Sequence, residues 1–188
     1  DTFSDLLLNT YIEIQDVSAK ANITLSEDLY NKAVELAESL MSNYKNGGYF
    51  FNPACLALAY TRRALFFKDK NKDKAIVDID KSIEILNKLI CNSPLYIEDI
   101  VLVYYYRATI IKEIDMKAAI ENLTLSINLC NDTMSNIKDE FHNYIDISYI
   151  INSYALRAEL CEKQHNFNFA IDDYTSALNL LDIYTNSN

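Results

Sequence analysis

Apolar residues return along this chain at the three-and-four spacing of an α-helix. From Ala75, the small or apolar residues Ile76, Ile79, Ser82, Ile83 and Leu86 fall on one stripe. The stripe recurs as Ala119, Ile120, Leu123, Ser126 and Ile127, and again as Ala170, Ile171, Tyr174, Ala177 and Leu178. Alternation of period two is absent, so no β-strand is expected. Punctuation places the helix ends. Asn52-Pro53 and Ser93-Pro94 each set a capping side chain before a proline at the first helical position. Thr24 with Glu27 reads as a capping box, and Gly47-Gly48 as a break. The pattern predicts eight helices, at 3–20, 25–44, 53–69, 72–91, 94–114, 116–131, 134–164 and 167–183.

The stripes belong to longer repeats. Tyr60 to Leu86, Tyr105 to Leu129 and Tyr154 to Leu180 align, each with an Arg-Ala pair: Arg63-Ala64, Arg107-Ala108 and Arg157-Ala158. Ala75-Ile76, Ala119-Ile120 and Ala170-Ile171 follow 11 or 12 residues after that Ala. A weaker copy of the second half lies earlier, with Ala33 in the Ala slot. Small residues in these slots let neighbouring helices approach closely, and large residues fill the space between the axes. A unit of this kind buries its apolar face only by stacking on copies of itself.

The arrangement Arg-Ala, a polar turn, then Ala-Ile-x-Asp/Asn-x-x-x-Ser/Ala-Ile/Leu-x-Leu resembles the tetratricopeptide repeat. The third copy is the nearest match, with a spacing of twelve from Ala158 to Ala170 and Phe167 three before Ala170. The resemblance covers roughly 53–184 and implies an all-α α-solenoid of about four antiparallel helix-turn-helix repeats with lengthened helices. It gives a single domain over 1–188, with repeats near 3–44, 53–91, 94–131 and 134–183. Two features depart from the family. Equivalent positions lie 44 and then 50 or 51 residues apart, against a family period of about 34. The usual turn glycine is also missing.

Composition narrows the function classes. The chain is half hydrophobic with 14 Tyr and 8 Phe, which disfavours disorder, and its two Gly and two Pro disfavour an all-β fold. A net charge of −10 argues against a nucleic-acid partner. The one basic stretch, Arg62 to Lys74, reads as a solvated helix end and turn. No apolar run is long enough for membrane insertion. Cys55, Cys91, Cys130 and Cys161 are scattered and read as small reduced core residues, favouring a cytoplasmic location. The chain starts at Asp1 without Met, so the lack of a signal segment decides nothing. Cys161 and His165 have metal-pair spacing, but His142 is the one other histidine, so no metal or cofactor is expected. The acidic pairs Asp69/Asp73, Glu98/Asp99 and Asp172/Asp173 read as helix-start or solvated groups, and no catalytic set can be assembled. The sequons at Asn22, Asn122 and Asn131 suit an Asn-rich chain by chance.

Two constellations remain. Arg63, Arg107 and Arg157 are followed after 14 to 16 residues by Asp78, Glu121 and Asp173, which predicts structural ion pairs rather than a ligand-binding column. In the resembled family the first helix of each repeat lines a concave groove. Carried over by position, the candidates are Leu58, Thr61, Arg62 and Leu65, then Leu102, Tyr105, Tyr106 and Thr109, then Asn152, Ala155, Leu156 and Glu159. Arg62, Tyr105, Tyr106, Asn152 and Glu159 stand out as polar or aromatic anchors for a peptide. Members that bind acidic chaperone tails use Lys, Asn and Arg where this chain has Thr61, Leu65, Tyr106, Asn152 and Leu156, so that clamp is not implied. The expected function is a non-catalytic protein-interaction module holding a peptide or protein in the groove. The alternative is a structural or self-assembling segment of a larger protein whose activity lies elsewhere, which leaves homo-oligomerisation open.

Overall fold

The structure, a computed structural model, describes residues 2–136 and 147–186. They form α1 (Thr2–Lys20), α2 (Glu27–Lys45), α3 (Pro53–Phe67), α4 (Lys72–Ile90), a 3-10 turn (Pro94–Tyr96), α5 (Ile97–Ile111), α6 (Met116–Asn136), α7 (Ile147–Lys163) and α8 (Phe167–Asn186). No strand occurs among the described residues, and none of their helices is long and apolar enough to cross a membrane. The helices gather into two compact units, Asp1–Leu89 and Ile90–Asn188.

Local chemistry explains most boundaries. The Asn52 side chain accepts from the Ala54 N–H at 3.0 Å, with Pro53 opening α3. Ser93 accepts from the Leu95 N–H at 3.4 Å, but Pro94 opens a single 3-10 turn before α5 begins at Ile97. The Thr24–Glu27 capping box does not form, because α2 starts at Glu27, with Ser26 at the N-cap, rather than two residues earlier. The expected break after 131 is also absent. Asn131 to Asn136 contains no Gly or Pro, and α6 continues through it; residues 137–146 of the expected seventh helix lie outside the described residues. At the end of α2, Gly47 has φ +83°, and a Cβ on Gly48 would sit 2.7 Å from the Asn43 carbonyl oxygen.

The internal turns account for the missing glycine. In the first two copies Asn71 and Asp115 cap the second helix, accepting from Lys74 N–H at 3.1 Å and Ala118 N–H at 2.9 Å. In the third copy His165 takes the left-handed position with φ +60°, and the Asn166 N–H reaches back to the Cys161 carbonyl at 2.9 Å. His165 is thus a turn residue beside a buried thiol. Among the described residues no group of three His, Cys, Asp or Glu could hold a metal.

The small slots do what their size suggests. Ala64, Ala75, Ala108, Ala119 and Ala158 are fully buried and Ala170 nearly so. In the first unit Leu8, Ile12, Ala33, Val34, Ala37, Leu40, Phe51 and Leu56 pack with Ala59 and Tyr60. In the second, Val101, Cys130 and Ile150 form one cluster, and Ala158, Cys161 and Ala170 receive Ile120 in another. Buried hydroxyls join helices where apolar contact leaves off. Thr61 and Ser82 are 2.8 Å apart, and Ser126 meets both the Val101 carbonyl at 3.0 Å and Ser153 at 3.2 Å.

The recurring arginines lock the hairpins. Arg63 donates from Nε and Nη2 to both Asp78 oxygens at 2.7 and 2.8 Å, and from Nη1 to Asn31 on α2 at 3.3 Å. Arg157 repeats this with Asp173 at 2.7 and 2.7 Å, and with Thr124 on α6 at 2.9 Å. Each fork therefore ties its own hairpin and reaches the preceding helix. Tyr60 and Tyr154, three residues before each Arg, lie under the guanidinium at 5.8 and 5.6 Å. The Tyr60 hydroxyl also donates to Glu38, and burial together with that bond raises its pKa. The middle copy differs. Glu121 is exposed and lies 3.9 Å from Lys117, so it is not a buried partner for Arg107. The position equivalent to Asp78 and Asp173, three after the slot Ala, is Asn122. It is buried and donates to the Ala118 carbonyl at 2.6 Å.

Both oxygens of buried Asp173 are engaged, so its removal strands a buried guanidinium. Asp173→Ala should cost about 3–5 kcal/mol in denaturant unfolding, while Arg157→Met with Asp173→Leu should restore most of it. The thiols give a second check. Cys130 is buried and its pKa is pushed up to about 12 by burial, and Cys161 is also buried. Cys91 is exposed, not a core residue as expected from the sequence. Under native conditions a thiol reagent should label Cys91 first, and Cys130 only on unfolding.

Candidate functional site

The run Tyr104-Tyr105-Tyr106 places consecutive side chains about 100° apart around α5. Tyr104 precedes Arg107 by three, the same offset as Tyr60 and Tyr154 from their arginines, and it is buried. Tyr105 and Tyr106 are thereby turned to another face and remain half-buried. Tyr149 on α7 meets them there. Its ring lies 6.3 Å from Tyr105 and 6.4 Å from Tyr106, and the Tyr105–Tyr106 separation is 5.8 Å. Partial burial, then Tyr149, raises the Tyr105 pKa, so this phenol stays a neutral donor and acceptor.

Along α7 the same face continues through Asn152, Leu156 and Glu159, three or four residues apart. Asn152 is exposed. Glu159 pairs with Lys163 at 2.9 Å, and that bond, more than the field of Lys112, holds its carboxyl below the usual range. Tyr149 belongs to this surface although the carried-over positions stopped at Asn152. One further turn of the 3.6-residue period would have reached it.

Arg62 belongs to the first unit, where its guanidinium lies 2.5 Å from Asp16 of α1. It is therefore an ion-paired group linking α3 to α1 rather than an open cation. Its Nε is buried without a hydrogen-bond partner, as are both amide atoms of Gln15. The first unit also has a cleft of about 410 Å³ lined by Asn31, Arg63, Phe67, Lys74, Asp78 and Lys81. The Arg63–Asp78 fork is part of its lining, with both Asp78 oxygens already accepting from Arg63.

The structure thus brings Tyr105 and Tyr106 together with Tyr149, on a face that α7 extends through Asn152 and Glu159. Such a surface offers broad aromatic area with phenol groups at its edge, which suits contact with an extended chain. No family model, curated protein or solved structure matches this chain.

Proposed function

We propose that the chain is an α-solenoid of tetratricopeptide-like repeats that works as a non-catalytic protein-interaction module, holding a peptide or protein segment against its first-helix face. The observation that carries this reading is the Tyr105–Tyr106–Tyr149 cluster. These rings stay partly open while Tyr104, in the same run, is drawn into the core. Burial alone would favour an aliphatic contact between α5 and α7. Three phenols instead supply contact area with little side-chain entropy to lose. The shared Ala slots, the Arg forks and the hairpin order within each unit support the repeat reading.

The test selects binders from a displayed peptide library on the intact chain and then measures them on variants. Tyr106→Ala and Tyr149→Ala should each weaken binding by about 1–3 kcal/mol. Their unfolding temperatures should move little. Leu123→Ala, at a fully buried position, should instead lose about 2–5 kcal/mol of stability. Equal losses of stability and binding in the tyrosine variants would remove the assignment.

A further inference from the structure

Three rings meet on the open face of the second unit without stacking. Tyr105, Tyr106 and Tyr149 form a nearly equilateral triangle, with centroids 5.8, 6.3 and 6.4 Å apart and planes inclined at 51°, 53° and 74°. A point above the middle of that triangle lies within about 6 Å of all three centroids, the range over which an aromatic face attracts a cation. Elsewhere the chain uses that attraction freely. Lys70 lies 3.4 Å from the Phe66 centroid, Lys74 4.7 Å from Phe67, Lys81 4.8 Å from Tyr60 and Arg157 5.0 Å from Phe169. Tyr105 and Tyr149 are half-buried, and no Lys or Arg among the described residues lies over either ring.

The charge along α5 has the matching sign. Glu98 and Asp99 precede Tyr105 and Tyr106 by seven residues each. Two turns bring them back to the same side of the helix, about 10 Å away. That is about one screening length at physiological salt. Desolvation, and then Glu98, hold the Asp99 carboxyl above its ordinary range, and no Lys or Arg among the described residues lowers it. Arg107, the one cation of α5, follows Tyr106 and is turned about 100° from it. Shape narrows the choice of cation. A guanidinium is flat and stacks along a ring face, and no two of these planes are closer to parallel than 51°. A primary ammonium is compact but holds its water strongly. A quaternary ammonium is compact, round and weakly hydrated, and such heads are what aromatic cages take.

We infer that the Tyr105–Tyr106–Tyr149 triangle is a cage for a quaternary ammonium, carried by a trimethylated lysine of the bound peptide. The inference deepens the peptide-holding reading above and rests on it. The methyl groups lie against the three ring faces, and the lysine stem leads back to the peptide chain. The rings supply the attraction through their faces, so their hydroxyls remain available for other contacts. Glu98 and Asp99 add a field that favours a charged head over an apolar one of the same shape.

The experiment uses labelled peptides of about nine residues that differ only at one central position. That position holds trimethyllysine, lysine, or the tert-butyl carbon analogue of trimethyllysine, which keeps the shape and lacks the charge. Fluorescence anisotropy with the intact chain should show the trimethyllysine peptide binding about fivefold or more tighter than either twin. The comparison is made on the unaltered protein, so no variant has to fold for it to decide. Tyr149→Leu should remove the preference, whereas Tyr149→Phe, which keeps the ring face, should retain it. Equal binding of the charged and neutral peptides overturns the inference, as does a lysine peptide that binds as tightly or a preference that survives Tyr149→Leu. If library-selected peptides lose affinity on Tyr106→Ala while the charged and neutral peptides bind alike, the cage falls and the peptide face stands. Choline offered alone should bind more weakly than the trimethyllysine peptide. Equal affinity would overturn the inference in favour of a free ammonium compound.

Discussion

Three of the hairpins carry a buried alanine on each of their two helices. Ala64 and Ala75, Ala108 and Ala119, and Ala158 and Ala170 are buried to the last few per cent. Side chains this small in buried slots let neighbouring helices approach closely. Everything else in a hairpin is arranged around that approach. The Arg forks span the same gap from the side, and the Thr61–Ser82 pair satisfies hydroxyls that the close contact seals from water. A fork of this kind is short and planar, and its geometry is available only when the helices already lie near one another.

The closeness also sorts the aromatic residues. A tyrosine three residues before the Arg lies over the guanidinium and enters the core, as Tyr60 and Tyr154 do. Tyrosines at the two following positions cannot, because the helix has turned them away. Core and open aromatic face are therefore set by one rotation of α5, and the half-buried tyrosines follow from the buried one.

Much of this was legible in the sequence. The Ala slots, the two proline-led starts and the Arg63–Asp78 and Arg157–Asp173 pairs follow from size, ring geometry and spacing. Other features were not. Spacing along the chain did not reveal that Glu121 is exposed beside Lys117 while Asn122, three after the slot Ala, is buried. Asp16 beside Arg62 and Tyr149 beside Tyr105 are contacts between different hairpins, which local periodicity does not encode. The turn at His165 looked like half a metal pair, because a left-handed backbone leaves no mark in composition when a non-glycine residue supplies it.

The tyrosine run also constrains how this protein can change over generations. One inserted or deleted residue within α5 would rotate everything beyond it by about 100°. Depending on its position, that change would separate Tyr104 from Arg107 in register or carry one of its neighbours inward. Length variation in this helix is therefore closed to selection. Change at the open aromatic face is then confined to exchanging the side chains of Tyr105, Tyr106 and Tyr149 one at a time, each keeping its place on the helix.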